Sequence, residues 1–455
     1  MSDRLRLAIA PAYLLLCILL GGSTQGIWAN VVLQLVAIAI IAFAYLNRRA
    51  DRQPLGARRL GVLVALMLGL IALQLVPLPP ALWTALPGRA LVSGGFALLG
   101  LPLGWQPLSL APYDSAATAL TLLPPLAILA AMLWLKPSPS RWIAMTLIAA
   151  TMVAVLLGVL QVAGPSTAAS PWYFYRFSNY GVATGFFANS NHMATLLLIA
   201  IPFVVALGSA AAQGTEDVRT RYAAIAIGGG GLAVILIGLA LNGSLAGFGL
   251  APLVTIASIL LIVRPRQAWL RAGALGVAVV GVAAFIAIVA TPLGERFASA
   301  GAATSITTRH EMRVNSVDAI ATFGAAGSGL GTFRPVYASF EDPDMVDRTY
   351  VNHAHNDYLE VAVELGLAGV LLILLFWAWW VAASRQLLKS PAFDQYARAG
   401  MVASAAVMIH SAVDFPLRTA SISGLFAMAL ALMLVSRHNA SSSDDLRPTR
   451  HVIID

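Results

Sequence analysis

The chain is divided by apolar runs of roughly 17–25 residues, the length that crosses a bilayer as a helix. Inside a membrane no water is present to satisfy backbone N–H and C=O groups, so such runs have little choice but to be helical. They lie near 6–21, 27–46, 59–77, 116–135, 141–163, 190–211, 223–241, 245–263, 271–290, 358–384, 396–413 and 419–436. With 59% hydrophobic and 11% charged residues, the composition allows no large soluble core. The expected fold class is all-α: a polytopic integral membrane protein of about 12 transmembrane helices, with a large external loop between spans 9 and 10.

The basic residues alternate between two sets of connections. One set, with both chain ends, holds 20 of the 28 Lys and Arg; the other holds 8. Cytoplasmic loops are enriched in Lys and Arg, so the first set and both termini are expected in the cytoplasm. The net charge of +8 then reflects orientation. The basic residues are scattered over short loops and form no continuous stripe, so the charge is not evidence for nucleic acid and no such partner is expected. The sole cysteine, Cys17, falls in the first span, so no intramolecular disulfide is possible. That span follows Arg4 and Arg6 like a signal peptide, and is expected to stay as an uncleaved helix because the charge alternation needs it.

Residues 1–436 read as one transmembrane domain and 437–455 as a polar cytoplasmic tail. Three outer segments stand out. Residues 78–115 are proline-rich, with apolar pieces too short to span, and read as re-entrant or interfacial. Residues 164–189 are aromatic-rich around Arg176; a membrane-interface belt and a sugar- or lipid-contacting surface both fit. Residues 292–357 form the large loop, with a helix over Arg309–Phe323, a glycine turn at Gly327–Gly331 and a short helix near Phe333–Phe340.

That loop ends in His353-Ala354-His355-Asn356-Asp357-Tyr358-Leu359-Glu360. Polar groups at a membrane boundary are costly and mark function. An imidazole at His355 is able to take and return a proton near neutral pH; capping of the next helix is the alternative. Asp357 and Glu360 have the spacing of an N-cap and its N3 partner. Glu364 follows one turn later on the face of Glu360, placed to line a wet cavity. Two histidines two apart point to opposite sides of an extended strand. The nearby Glu341, Asp342, Asp344 and Asp347 lack ligand spacing, so neither a metal nor another cofactor is expected.

Arg309 and Arg313 lie one helical turn apart. Guanidinium forks fit phosphate oxygens in pairs, which suits a lipid-linked phosphate; a solvated face pairing with Glu311 is the alternative. Gly185–His192 opens a span with several amides and an imidazole. Gly243-x-x-x-Gly247 suits helix packing. His410 to Arg418 brings a histidine, Asp414 and Arg418 to the outer end of the last two spans, where the latter two have the option of neutralising one another.

His355-Asn356 followed by Gly366-x-x-Gly369 resembles the signature of bacterial O-antigen ligases and the related O-antigen and exopolysaccharide polymerases. Gly185–Ala194 and the run from Arg309 through Gly327–Phe333 are similar to that family's helix start and pre-histidine turn. The resemblance spans roughly 180–436. It implies an inner-membrane glycosyltransferase, working at the periplasmic face without cofactor. Its donor would be a glycan on undecaprenyl pyrophosphate, and its acceptor lipid A core or a second lipid-linked unit. It implies His355, with Asn356, as the catalytic pair, His355 being the general base of an inverting displacement. Arg309 and Arg313 would hold the pyrophosphate. His353, Glu360 and Asp414 would support them. Many members carry a Ser-Arg-Gly-like motif where this chain reads Ser244-Leu245-Ala246, so either Arg176, Arg334, Arg348 or Arg418 replaces the missing guanidinium or the donor is bound differently. The rival readings are a flippase for lipid-linked glycans, a structural subunit of an export complex, and an O-linked protein oligosaccharyltransferase. Ionisable residues at the rim, with no Lys or Arg inside a span, favour the enzyme over the flippase.

Overall fold

In the computed structural model, eight helices among the described residues are long and apolar enough to cross a membrane by length and composition. The description covers residues 3–24, 27–48, 53–135, 138–264, 302–343 and 351–444, with isolated positions at 272, 273, 276 and 279. Against the expected count of about twelve, two further apolar helices are shorter, Arg6–Leu20 and Ala420–Val435. Apart from those four isolated positions the expected span 271–290 lies outside the described residues, as do Asp344, Asp347 and Arg348.

In chain order the helices are α1 (Asp3–Leu20), α2 (Trp28–Leu46), α3 (Leu55–Gln74), α4 (Pro80–Trp83), α5 (Ala90–Leu98), α6 (Pro112–Leu120), α7 (Leu123–Trp134), α8 (Ser140–Ala163), α9 (Ser190–Gln213), α10 (Val218–Asn242) and α11 (Leu245–Ile262). Then come α12 (Ala302–Phe323), α13 (Phe333–Tyr337), α14 (Asp357–Lys389), α15 (Gln395–His410), a 3-10 turn at Pro416–Arg418 and α16 (Ala420–Asp444). The only sheet among the described residues was not expected. It is an antiparallel clasp of β1 (Pro77–Leu78) and β2 (Gln106–Pro107), pairing Pro77 with Pro107 and Leu78 with Gln106.

α9 is the centre of the bundle. It is apolar on every side, the pattern of a helix enclosed by others, and its residues Met193 to Phe203 are buried. α8, α10, α11 and α15 pack around it. α16 packs against α15, α7 and α1, and α2 covers α7. Gly247 lets α11 approach α9, where an added Cβ would come within 2.8 Å of the Ala194 methyl. Gly247 thus serves packing, as the sequence suggests, whereas Gly243 ends α10 in a left-handed turn at φ 72°.

α14 lies against α3 and α12 and is broken at Gly366 (φ 58°, ψ −148°). A break frees carbonyls that need donors, and the glycine turn between α12 and α13 supplies them. Ser328 N–H donates to Val363 O at 3.0 Å and Gly329 N–H to Glu364 O at 2.9 Å. Gln74 of α3 adds its side-chain N–H to Glu364 O at 3.0 Å. In return, Leu367 N–H reaches Ala325 O at 3.1 Å. The approach is too close for any side chain. A Cβ on Gly327 would sit 2.6 Å from the Glu364 oxygen, and one on Gly366 would collide with Ala325 O. The glycine turn and the kink thus form one joint, which sets the direction in which the first two turns of α14 point.

Candidate active site

Four elements converge at the start of α14: the segment 353–356, the ends 410–418 of α15 and its loop, the start of α9, and α12. Asn356 caps α14, its Oδ1 accepting from Tyr358 N–H at 3.0 Å and Leu359 N–H at 3.1 Å. The cap is therefore one residue before Asp357, the residue the sequence spacing suggested. A capping amide at this position orients the helix start without placing a charge there. The Asn356 side chain also donates to Ala412 O at 2.9 Å, tying the loop to the helix.

Asp357 is turned inward instead. Its Oδ2 accepts from Ser411 Oγ at 2.9 Å, and its Oδ1 lies 3.6 Å from Arg418 Nε. Glu360 folds back over the motif, accepting from Ala354 N–H at 3.0 Å and facing His353 Nδ1 at 2.8 Å. Glu364 accepts from Phe333 N–H at 3.3 Å. It is fully buried and does not line a wet cavity. Arg418 closes the cluster, with Nη2 at 3.2 Å from Glu360 and 3.3 Å from Glu364. Burial opposes its charge, but Glu360, Glu364 and Asp357 outweigh that and hold the guanidinium above the usual arginine range. Arg418, expected to bind phosphate or neutralise Asp414, has its fork occupied by three other carboxylates.

Asp414 belongs to His355. His355 Nδ1 and Asp414 Oδ1 are 3.0 Å apart, with side-chain exposures of 22% and 1%. Burial alone would push the Asp414 carboxyl up. The hydrogen bond from His355 and the nearby imidazoles of His355, His192 and His410 outweigh it and hold the group below the usual carboxylate range. An ionised carboxylate only accepts, so the ring N–H that meets Asp414 is on Nδ1, and in the neutral ring Nε2 is then the acceptor.

His355 has φ 48°, the one positive φ at a non-glycine among the described residues. That left-handed residue breaks the alternation of an extended strand. His353 and His355 consequently rest on the same ring, Phe415, at centroid distances of 4.4 and 4.8 Å, and do not point to opposite sides. His192 meets that ring edge-on at 5.1 Å. Phe415 was not singled out from sequence; its place between Asp414 and Arg418 was the only signal. Behind it, His410 Nδ1 is 2.9 Å from Thr195 Oγ1 of α9.

The arginines divide. Arg309 of α12 is half-buried and close enough for its charge to act on the buried His410. Arg313 is exposed and its Nη2 is 3.1 Å from His310 Nδ1. Arg176 is exposed and stacks over Phe177 at 5.6 Å. Arg334 on α13 is exposed. Leu245 is half-exposed at the start of α11, where Ser244 Oγ donates to Asn191 Oδ1 at 2.7 Å, beside His192.

An apolar groove of about 340 Å³ runs from this cluster along α14. Asp357, Tyr358, Ser411 and Leu417 line its polar end, and Leu60, Phe376 and Leu430 its far end.

Residues 230–374 match the family model described as O-antigen ligase. Over that stretch, about a third of its length, the chain is similar to the O-antigen ligase family. The matched stretch includes Arg309, Arg313, the glycine turn and the His355 motif, while Asp414, Phe415 and Arg418 lie beyond it. No curated protein matches the chain. The match supports a ligase- or polymerase-type function in a membrane setting.

Proposed function

We propose that this protein transfers a glycan from undecaprenyl pyrophosphate to an acceptor hydroxyl at the periplasmic face of the inner membrane, by a single inverting displacement. The observation that carries the reading is the His355–Asp414 pair. Asp414 fixes the tautomer and steadies the imidazolium, and the partly exposed His355 Nε2 takes the hydroxyl proton as that oxygen attacks the anomeric carbon. The bond from the anomeric carbon to the phosphate oxygen breaks, and undecaprenyl pyrophosphate leaves with the electron pair on that oxygen. Arg309 offsets its charge. Arg313 is less well placed, since it faces His310. Arg418 supports the site through Glu360 and Asp357 and leaves the phosphate to other cations.

The groove beside Asp357 supports the donor assignment. Its walls are aliphatic and aromatic along α3, α7, α14 and α16, which suits a polyprenyl chain whose head group ends near the imidazoles. A flippase would need polar sites near mid-membrane, whereas the charged cluster here is gathered at one end of the bundle.

The test is transfer from a purified lipid-linked oligosaccharide, in detergent with a chelator, to lipid A core and separately to a second lipid-linked unit. His355→Asn is expected to lose about 10²–10⁴-fold in transfer, the usual contribution of a positioned acid–base group, while its thermal midpoint stays near wild type. Full transfer by that variant would overturn the assignment. The acceptor used distinguishes ligase from polymerase.

A further inference from the structure

Between Arg59 and Asp114 the sequence carries one charge, Arg89. In the structure that charge is hidden, since Arg89 is 1% exposed. The surface of residues 76–113 therefore bears no formal charge at all, a property unusual for protein facing water. The surface is also strongly apolar. Leu91, Leu98, Leu99 and Trp105 are 77%, 90%, 73% and 66% exposed, with Leu101 and Leu103 beside them. Exposed apolar patches of this kind mark a contact with membrane or protein.

The segment is built as a rigid wing. The β1–β2 clasp closes its root at the end of α3, and Ser109 N–H donates to Gln74 O at 3.0 Å. Inside the wing, Trp83 is buried, donates from Nε1 to Gly104 O at 3.0 Å and packs on Phe96 at 6.2 Å. Arg89 pins the wing to the glycine turn, its Nη2 donating to Leu108 O at 2.6 Å and to Gly327 O at 3.1 Å. Leu110 N–H donates to Ser328 O at 2.8 Å. Order on the inside with bare leucines on the outside is not the pattern of a loop that collapses onto itself.

The geometry points to the lipid bilayer as the partner: residues 76–105 form a lipid-contacting wing that lies in the leaflet on the same side as the His355 site. Continuity argues for lipid. The exposed leucines extend directly from the exposed apolar face of the membrane-crossing α3, through Leu66, Leu73 and Val76. Depth follows from length. α5 has nine residues, far short of the ~20 that span, and the irregular backbone of 99–105 needs water for its polar groups. The boundary between head groups and acyl chains meets both demands, and Trp105 and Tyr113 suit that depth. Because the wing is bonded to the glycine turn, and the turn to the kink of α14, the bilayer surface fixes the height of the imidazoles. This inference stands apart from the proposed chemistry.

The test uses Cys17, the sole cysteine, which is fully buried and so silent to labelling. Leu98→Cys, Leu101→Cys, Leu73→Cys and Asp318→Cys are each given a nitroxide label in the full-length protein. The variants are placed in bilayers of phosphatidylethanolamine and phosphatidylglycerol. Leu73 is the lipid-facing reference and exposed Asp318 the water-facing one. Labels at 98 and 101 are expected to be relaxed by oxygen and to lose relaxation by a water-soluble nickel chelate, as at 73. Relaxation by nickel as strong as at 318 would overturn the inference. Protection from both reagents would also overturn it, in favour of a second copy or another protein covering the wing.

Discussion

Two enclosed arginines touch the two sides of the same joint, Arg89 at Gly327 and Arg418 at Glu364, and the protein holds them in opposite ways. Arg89 donates to the carbonyl oxygens of residues 87, 108 and 327 and pairs with no carboxylate among the described residues. Burial pushes its guanidinium down to about 10. Arg418 is gripped by Asp357, Glu360 and Glu364, which push it above its usual range. Dipoles position a cation without adding net charge, so Arg89 works as a brace for the wing and glycine turn. Carboxylates create a charged unit that is only tolerable whole, so Arg418 works as a counter-ion for α14.

Removing each partner sharpens the contrast. Arg418→Met leaves three enclosed carboxylates without their cation and is expected to cost about 3–5 kcal/mol, in the range for breaking a buried ion pair. The thermal midpoint in detergent reads it, and a loss below about 1 kcal/mol would show that the cluster is not one unit. Adding Glu364→Gln to that variant is expected to restore part of the loss.

Asp414→Asn tests the third charged group, which serves His355 and neither arginine. The amide still accepts from Nδ1 but no longer stabilises an imidazolium, so transfer is expected to fall about 10²-fold, at the low end for acid–base groups. Its pH dependence has a definite sign. The folded carboxyl lies below its ordinary value, so it adds stability above the unfolded value of about 3.9, and that stability is lost as the pH falls. Melting curves from neutral pH down through 4 should show this acid limb in the wild type and a shallower one in Asp414→Asn. Parallel curves would contradict the pairing.

Arg89→Met is expected to have the smallest effect, about 1–3 kcal/mol, because it leaves carbonyls unsatisfied and strands no charge. A cost equal to that of Arg418→Met would erase the distinction between the two arginines.

The sequence shows some of this and hides the rest for physical reasons. Apolar run lengths mark the helices because the bilayer dictates length, and Gly366 and the 327–331 turn are visible because their backbone permits no Cβ. His355 and Asn356 stand out as polar residues at a helix start. The cap moved from Asp357 to Asn356 because an enclosed guanidinium from residue 418 drew the carboxylate inward, a pull no local spacing encodes. Phe415 was unreadable for the same reason: residues 192, 353 and 355 meet on it only after three elements have packed. Residues 78–115 read as re-entrant or interfacial from apolar pieces too short to span, while the β1–β2 clasp was hidden by its prolines, which argue against a strand.

The left-handed backbone at position 355 also restricts what evolution and the experimenter are able to place there. A residue with a Cβ pays about 1–2 kcal/mol in that conformation, with asparagine and aspartate the usual exceptions. An alanine at 355 would remove the imidazole and also strain the turn, so its phenotype would mix chemistry with shape. Asparagine keeps the turn and removes only the base, which makes it the substitution that asks a single question.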